Sequence, residues 1–367
     1  MQPLLSILPL LLTHSAVAFI LPSPPGQYNV TLTTGPLIDS SRNNWVLMVS
    51  VFRPAICAST VAVPNMPERT AKYQASYAQR MFNVTEDLSS QFLQAQLPVC
   101  ECNSSTTALV KDTPVLILSH GLEGTRLYHN VIASALASEG FTVITTDHPS
   151  DTNIIEYPNG HEITNNITFI PEVITKLIEV RAADASFIID QLSNATAMAE
   201  LGLGPFPTDR VAMLGHSLGG VTSVHAAAKD PRIRAAINWD GTLEYNPPLA
   251  QGISQPVSLV ATDRPTDTSW EEAWSKLNGP KLWTKIAGLQ HVGFIDLRTI
   301  LKAAGQDINL FPELFGMIDP DELKDMLVAY TTEWMNGAFA GKVGGPLLEG
   351  EEPDRFPAVS VIKKDNY

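Results

Sequence analysis

Positive charge is scarce: 24 lysines and arginines stand against 38 aspartates and glutamates, a formal net charge of −14. That balance excludes electrostatic binding to nucleic acid and docking on an anionic membrane through a basic patch. Cysteine is almost absent, with only Cys57, Cys100 and Cys102, so neither paired Cys-x-x-Cys motifs nor a dense disulfide framework can exist. There is no His-Glu-x-x-His and no acidic calcium loop, and the sequence therefore predicts neither a catalytic metal nor a cofactor. Long apolar runs, internal repeats and extended low-complexity segments are also missing beyond the first residues.

The apolar run that does exist, Pro3 to Leu12, leads to Ala16-Val17-Ala18, small residues of the kind a signal peptidase needs. Pro9 and His14 interrupt it, and a spanning helix wants about 20 apolar residues. Residues 1–18 therefore read as a secretory signal and the protein as secreted. Five sequons, at Asn29, Asn83, Asn103, Asn166 and Asn194, fit export as candidate glycosylation sites. In an oxidising compartment Cys57 is expected to pair with Cys100 or Cys102, since the latter two stand too close to bridge each other.

From Pro67 to about Leu97 the pattern is helical, after candidate strands at Tyr28–Thr34 and Trp45–Arg53. At Val115 the rhythm changes. Short apolar strands (Val115–Ser119, Phe141–Thr146, Arg210–Leu214, Ile233–Trp239, Val257–Thr262, Leu282–Ala287) alternate with helical stretches (Tyr128–Glu139, Pro171–Leu192, Leu218–Lys229, Trp270–Lys276). A last helix suits Asp321–Met335. Such alternation predicts an α/β fold, a mostly parallel central sheet with helices on both faces. We divide the chain into residues 1–18, an N-terminal extension at 19–110 packed on the core, and a catalytic core at 111–367, one domain overall.

Ligand sites in such sheets lie beyond the carboxyl ends of the strands. There, Gly215-His216-Ser217-Leu218-Gly219 stands between an apolar strand and an Ala-rich helix, the context of a nucleophile elbow in an α/β-hydrolase. A serine needs a histidine base held by a carboxylate, and in this fold the order is Ser, acid, His. Of eight histidines only His225 and His291 follow Ser217. His225 falls inside the next helix, which leaves His291. Asp240 and Asp263 each end a strand and each could be the acid. The turn Ser119-His120-Gly121-Leu122-Glu123-Gly124 should bring a second backbone donor, so the N–H groups of Leu122 and Leu218 are the expected oxyanion hole. His120 and His216 read as buried structural residues, and Asp147-His148 as a structural pair.

With these residues in place, the chain resembles the platelet-activating-factor acetylhydrolase family. The likeness rests on Leu118-Ser119-His120-Gly121-Leu122, Leu136-Ala137-Ser138-Glu139-Gly140-Phe141, Asp147-His148, Arg181-Ala182-Ala183-Asp184, Phe187-Ile188-Ile189-Asp190-Gln191-Leu192, the elbow with Gly220, Trp239-Asp240 and His291-Val292-Gly293-Phe294-Ile295-Asp296. The resemblance implies a calcium-independent serine esterase acting on short sn-2 acyl groups of phospholipids, with Asp240 as the acid and Leu122 and Leu218 as oxyanion donors. Glu123 departs from it, standing where family members carry a small residue. The segment from Thr152 to Asn166 reads as a pocket rim. A general carboxylesterase or polyesterase shares the same machinery. A non-catalytic binding protein would have no need of a complete Ser, acid and His set. The expected partner is an ester or lipid substrate, with at most peripheral contact at a lipid surface.

Overall fold

Residues 17–82, 87–101, 107–246, 249, 251–265, 267–309 and 311–367 are described by the structure, a computed structural model. In chain order it opens with strands β1 (Phe19–Ile20), β2 (Asn29–Asp39), β3 (Trp45–Ile56) and β4 (Thr60–Pro64). Helices α1 (Glu68–Phe82) and α2 (Ser89–Gln94) lead to β5 (Ala95–Cys100) and β6 (Ala108–Leu109). Next come β7 (Val115–Ser119), α3 (Asn130–Ser138), β8 (Thr142–Asp147), and the hairpin of β9 (Ile154–Glu156) and β10 (Glu162–Thr164). Helices α4 (Pro171–Leu192) and α5 (Ala195–Glu200) precede β11 (Val211–His216), α6 (Leu218–Lys229), β12 (Ile233–Trp239) and β13 (Val257–Ala261). The chain closes with α7 (Thr268–Trp274), β14 (Lys281–Ile286), α8 (Leu297–Ala303), α9 (Pro312–Phe315), α10 (Pro320–Phe339), α11 (Pro346–Glu349) and β15 (Val359–Asp365).

One sheet carries the order β1-β5-β2-β3-β8-β7-β11-β12-β13-β14-β15, with β4 on β5 and β6 on β3. The six strands from β8 to β14 run parallel, as expected for an α/β fold. Residues alternate between its two faces with period two. Leu116, Leu118, Leu214 and Ile237 pack into one apolar cluster with α3 and α10. Val115, Ile117, Met213 and Ala236 pack into the other with α4 and α6. Both faces are therefore covered, which explains why these strands read as continuous apolar runs.

Several boundaries differ from expectation. The helical stretch ends at Gln94, and Ala95–Cys100 is a strand. Pro98 cannot continue a helix, whereas in β5 Leu97 and Val99 share one face and are both buried. Tyr128 belongs to a 3-10 turn, Arg126–His129, and the α-helix starts at Asn130. The strand β15 and its antiparallel pairing with β14 have no counterpart in the sequence reading. The N-terminal strands join the core sheet itself, since β3 pairs with β8 over Met48–Phe52.

Cys57 bonds to Cys100, while Cys102 lies outside the described residues, as do Asn83, Asn103 and residues 1–16. Asn29, Asn166 and Asn194 are exposed. Asn194 also caps α5, its side chain accepting from the Thr196 and Ala197 N–H groups. No helix among the described residues is long and apolar enough to cross a membrane.

Candidate active site

The parallel order reverses between β7 and β11, with β8 beyond one and β12 beyond the other. That reversal is where a crevice opens at the carboxyl ends of the strands. Ser217 follows β11 directly, with φ 55° and ψ −119°, the strained turn that lifts a serine clear of the sheet. Its own N–H donates to the Trp239 carbonyl at 2.8 Å, which locks the turn to β12. Gly219 is required by close approach, since a Cβ there would stand 2.0 Å from the Ser119 carbonyl oxygen.

Ser217 Oγ lies 3.0 Å from His291 Nε2, and His291 Nδ1 lies 2.7 Å from Asp240 Oδ2. The three residues sit in the order Ser, Asp, His on three different strand ends. His291 opens a short 3-10 turn after β14, and its side chain stays 29% exposed. Asp240 is nearly buried, and it also receives the Thr262 hydroxyl at 3.2 Å and the Arg264 guanidinium at 2.7 Å. Arg264 escaped the sequence reading, because nothing local marks a half-exposed arginine three residues past a strand.

Asp263 is turned elsewhere. Its Oδ2 accepts the Gly288 N–H at 2.5 Å, and Lys285 stands 3.2 Å from Oδ1. It organises the turn that leads to His291 and makes no hydrogen bond to the imidazole. His225 lies in α6 and pairs with Asn246 at 3.0 Å, as expected of a packing residue.

The turn after β7 meets the elbow at Gly121, where a Cβ would come within 3.3 Å of Ser217 Cβ. Among the described residues neither the Leu122 nor the Leu218 amide donates to a carbonyl. Glu123 adopts φ 53°, and its carboxylate accepts the Ile167 N–H at 2.6 Å and the Tyr77 hydroxyl at 3.2 Å. The carboxylate that departs from the family pattern is thus spent on bracing the loop before α4 and the helix α1.

His216 and His120 are buried, and desolvation holds both imidazoles well below the ordinary histidine range, hence neutral. Asp147 and His148 do not pair with each other, contrary to the sequence reading. Asp147 binds Arg126 through its guanidinium and its backbone N–H. His148 instead sits between Ser119 and Asp184, with Nε2 2.9 Å from Ser119 Oγ and Nδ1 2.8 Å from Asp184 Oδ2. That is a second Ser-His-Asp arrangement, and all three residues are fully buried, so no substrate reaches it. Sequence reading missed the role of Asp184, although a signal for it exists: it stands with Arg181 on the apolar stripe Ile174, Leu177, Ile178, Ala185, Ile188 of α4. Charges at those positions must be paired inside the protein.

Of the presumed rim, Thr152 and Asn153 are buried, bonded to His120 and Gln74. The hairpin beyond them packs on α1 through Glu156 and Thr70. Tyr157 and His161 of that hairpin, with Trp45, border a groove of about 770 Å³.

The sequence model described as alpha/beta hydrolase fold matches residues 114–278. A probable 1-alkyl-2-acetylglycerophosphocholine esterase of Arthroderma benhamiae is 32% identical, covering 94% of this chain and 94% of its own. The platelet-activating factor acetylhydrolases of Cavia porcellus and Gallus gallus are 21% and 23% identical over 68% and 66% of this chain, and 63% and 67% of theirs. Among solved structures, a ferulic acid esterase from Streptomyces cinnamoneus matches with a TM-score of 0.77 at 23% identity, across 95% of this chain and 100% of that one. This last likeness establishes the fold. Since the near-full-length relative carries the family and its members are named esterases or acetylhydrolases, the chain is a carboxylic ester hydrolase of the α/β-hydrolase fold and belongs to the platelet-activating-factor acetylhydrolase family.

Proposed function

We propose that the protein is a secreted serine esterase that removes short sn-2 acyl groups from phospholipids, with Ser217 as nucleophile, His291 as base and Asp240 as acid. The observation that carries this reading is the continuous hydrogen-bond chain from Ser217 Oγ through His291 to Asp240. Ser217 Oγ attacks the ester carbonyl while His291 Nε2 takes its proton. Asp240 holds the proton on Nδ1, so that Nε2 faces the serine bare, and balances the imidazolium once it forms. The tetrahedral oxyanion accepts hydrogen bonds from the Leu122 and Leu218 N–H groups, and Leu218, as the first residue of α6, adds the positive end of a helix. Collapse breaks the ester C–O bond, and His291 returns the proton to the leaving lysophospholipid alcohol. Water then attacks the acyl-enzyme by the same route, releasing the short acid and restoring Ser217.

The lipid substrate is supported by the names of the relatives, foremost the Arthroderma benhamiae protein. Secretion is supported by the signal-like residues 1–18 and the exposed sequons, and by a disulfide, which persists in oxidising compartments. The test compares a phospholipid bearing an sn-2 acetyl group with one bearing a long sn-2 chain, beside p-nitrophenyl acetate, in the absence of calcium. Wild type and Ser217→Ala are assayed together. Cleavage of the acetyl lipid and not of the long-chain lipid, with p-nitrophenyl acetate also turned over and all activity lost in Ser217→Ala, is the expected result. Cleavage of only the aryl ester would overturn the phospholipid substrate, and activity retained in Ser217→Ala would overturn the mechanism.

A further inference from the structure

Arg181 lies fully buried in the middle of α4, one helix away from the reacting serine, and touches none of the proposed catalytic side chains. A guanidinium has five N–H donors in a rigid planar fork, and here every one is used. Nε donates to Asp151 Oδ1 at 3.0 Å and Nη2 to Asp151 Oδ2. The other three reach the end of β7 and the turn after it: Nη1 donates to Ser119 Oγ at 3.2 Å and to the His120 carbonyl at 2.5 Å, and Nη2 to the Gly121 carbonyl at 3.2 Å.

The Gly121 carbonyl belongs to the same peptide unit as the Leu122 N–H. It also receives His120 Nδ1 at 2.7 Å and the Gly124 N–H at 3.0 Å. Three donors therefore converge on one oxygen. That peptide is trans, like every other described one, so its N–H points opposite to its C=O. Fixing the carbonyl toward Arg181 fixes the Leu122 N–H away from it, in a turn whose Gly121 lies against Ser217. The imidazole of His120 is itself held, with Nε2 accepting from the Thr152 hydroxyl at 2.8 Å. Asp151 balances the buried cation.

We propose that Arg181, with Asp151 as its counterion, is a positioning residue for the oxyanion hole: it sets the peptide plane that aims the Leu122 N–H. The proposal rests on the Ser217 mechanism given above. Its consequence is selective. Loss of the fork frees a donor that matters only once negative charge develops on the carbonyl oxygen, so the transition state suffers and ground-state binding does not.

The test uses the full chain in three forms: Ser217→Ala, Arg181→Lys, which keeps the charge beside Asp151 but lacks the fork, and a double variant, Arg181→Met with Asp151→Leu, which removes the buried pair together. Turnover of p-nitrophenyl acetate is measured beside inhibition by a trifluoromethyl ketone, whose adduct with Ser217 carries a negative oxygen in the hole. The corresponding alcohol serves as a neutral control. In both Arg181 variants kcat is expected to fall on the order of 10²-fold, the loss typical of one oxyanion donor. Ketone affinity should fall by the same factor, while KM and alcohol affinity hold. A fall in kcat with unchanged ketone affinity overturns the positioning role, as do unchanged kinetics or the failure of both variants to fold. Hydrolysis persisting in Ser217→Ala is a separate result and overturns the mechanism itself.

Discussion

His216 donates its Nε2–H to the backbone carbonyl of His291 at 2.7 Å. The residue beside the proposed nucleophile thus holds the main chain of the proposed base, and the two imidazole rings lie 4.8 Å apart. Because burial keeps His216 neutral, the link does not depend on pH in the range where esterases work. Replacing His216 by Phe removes the donor and is expected to lower kcat about fivefold, the effect of roughly 1 kcal/mol of hydrogen bonding. His216→Gln retains a donor and should recover part of that loss. Steady-state kinetics on p-nitrophenyl acetate measure both; a His216→Phe enzyme within twofold of wild type would show that His291 is held by other contacts.

Asp240 and Asp263 compete in the sequence but differ in geometry, since only Asp240 hydrogen-bonds His291. Asp240→Asn is expected to leave the fold intact and lower kcat by up to about 10⁴. Asp263→Asn disturbs a turn and should cost less than about tenfold, one hydrogen bond's worth. The reverse ranking in side-by-side kinetics would reassign the acid.

His129 carries a consequence for acid stability. It is fully buried, none of the described residues binds either ring nitrogen, and desolvation pushes its pKa down to about 3. In the unfolded chain it takes a proton near the ordinary value of 6.5. Between those values the unfolded state binds a proton that the fold refuses, so stability is fully present above about pH 6.5 and falls as the pH drops toward 3. In His129→Leu that fall should be shallower by up to about 1.4 kcal/mol per pH unit, one proton's share. Chemical denaturation at pH 4, 5, 6 and 7 measures it, and equal slopes in both proteins would refute it.

The Cys57–Cys100 bridge spans 43 residues, so removing it by Cys57→Ser with Cys100→Ser should cost about 4 kcal/mol on the chain-entropy account. The bridge joins the far ends of β3 and β5, while the start of β3 pairs with the β8 end that faces the site. Turnover at 25 °C should therefore be unchanged while the denaturation midpoint falls. Lost turnover in folded protein would mean that the two sheet edges are coupled.

Legibility followed locality. The bounds of α4, α6 and β12 coincide with the sequence reading because each is set by a neighbouring residue: Pro171 at a helix start, the elbow glycines, and the break at Asp240. Ser217 and His291 were legible from motif and chain order. Asp240 was not separable from Asp263 by local pattern, since what distinguishes them is the direction of a side chain set by Thr262 and Arg264. Strand β15 was invisible for a similar reason: its alternating face is half exposed, and its partner β14 is remote in sequence, with Lys281 facing Asp365 and Ile286 facing Val359. Buried charges on α4 offered a signal that helix periodicity could have exposed.

The sealed Ser119-His148-Asp184 set bears on how the protein meets covalent reagents. By interatomic distance it is as well formed as the reachable set, 2.9 and 2.8 Å against 3.0 and 2.7 Å. A fluorophosphonate probe samples access as well as geometry, and Arg181 Nη1 also occupies the Ser119 hydroxyl. Titration of the intact fold should thus end at one equivalent per chain, with the adduct on the peptide containing Ser217. A template that matched only three side chains would count two.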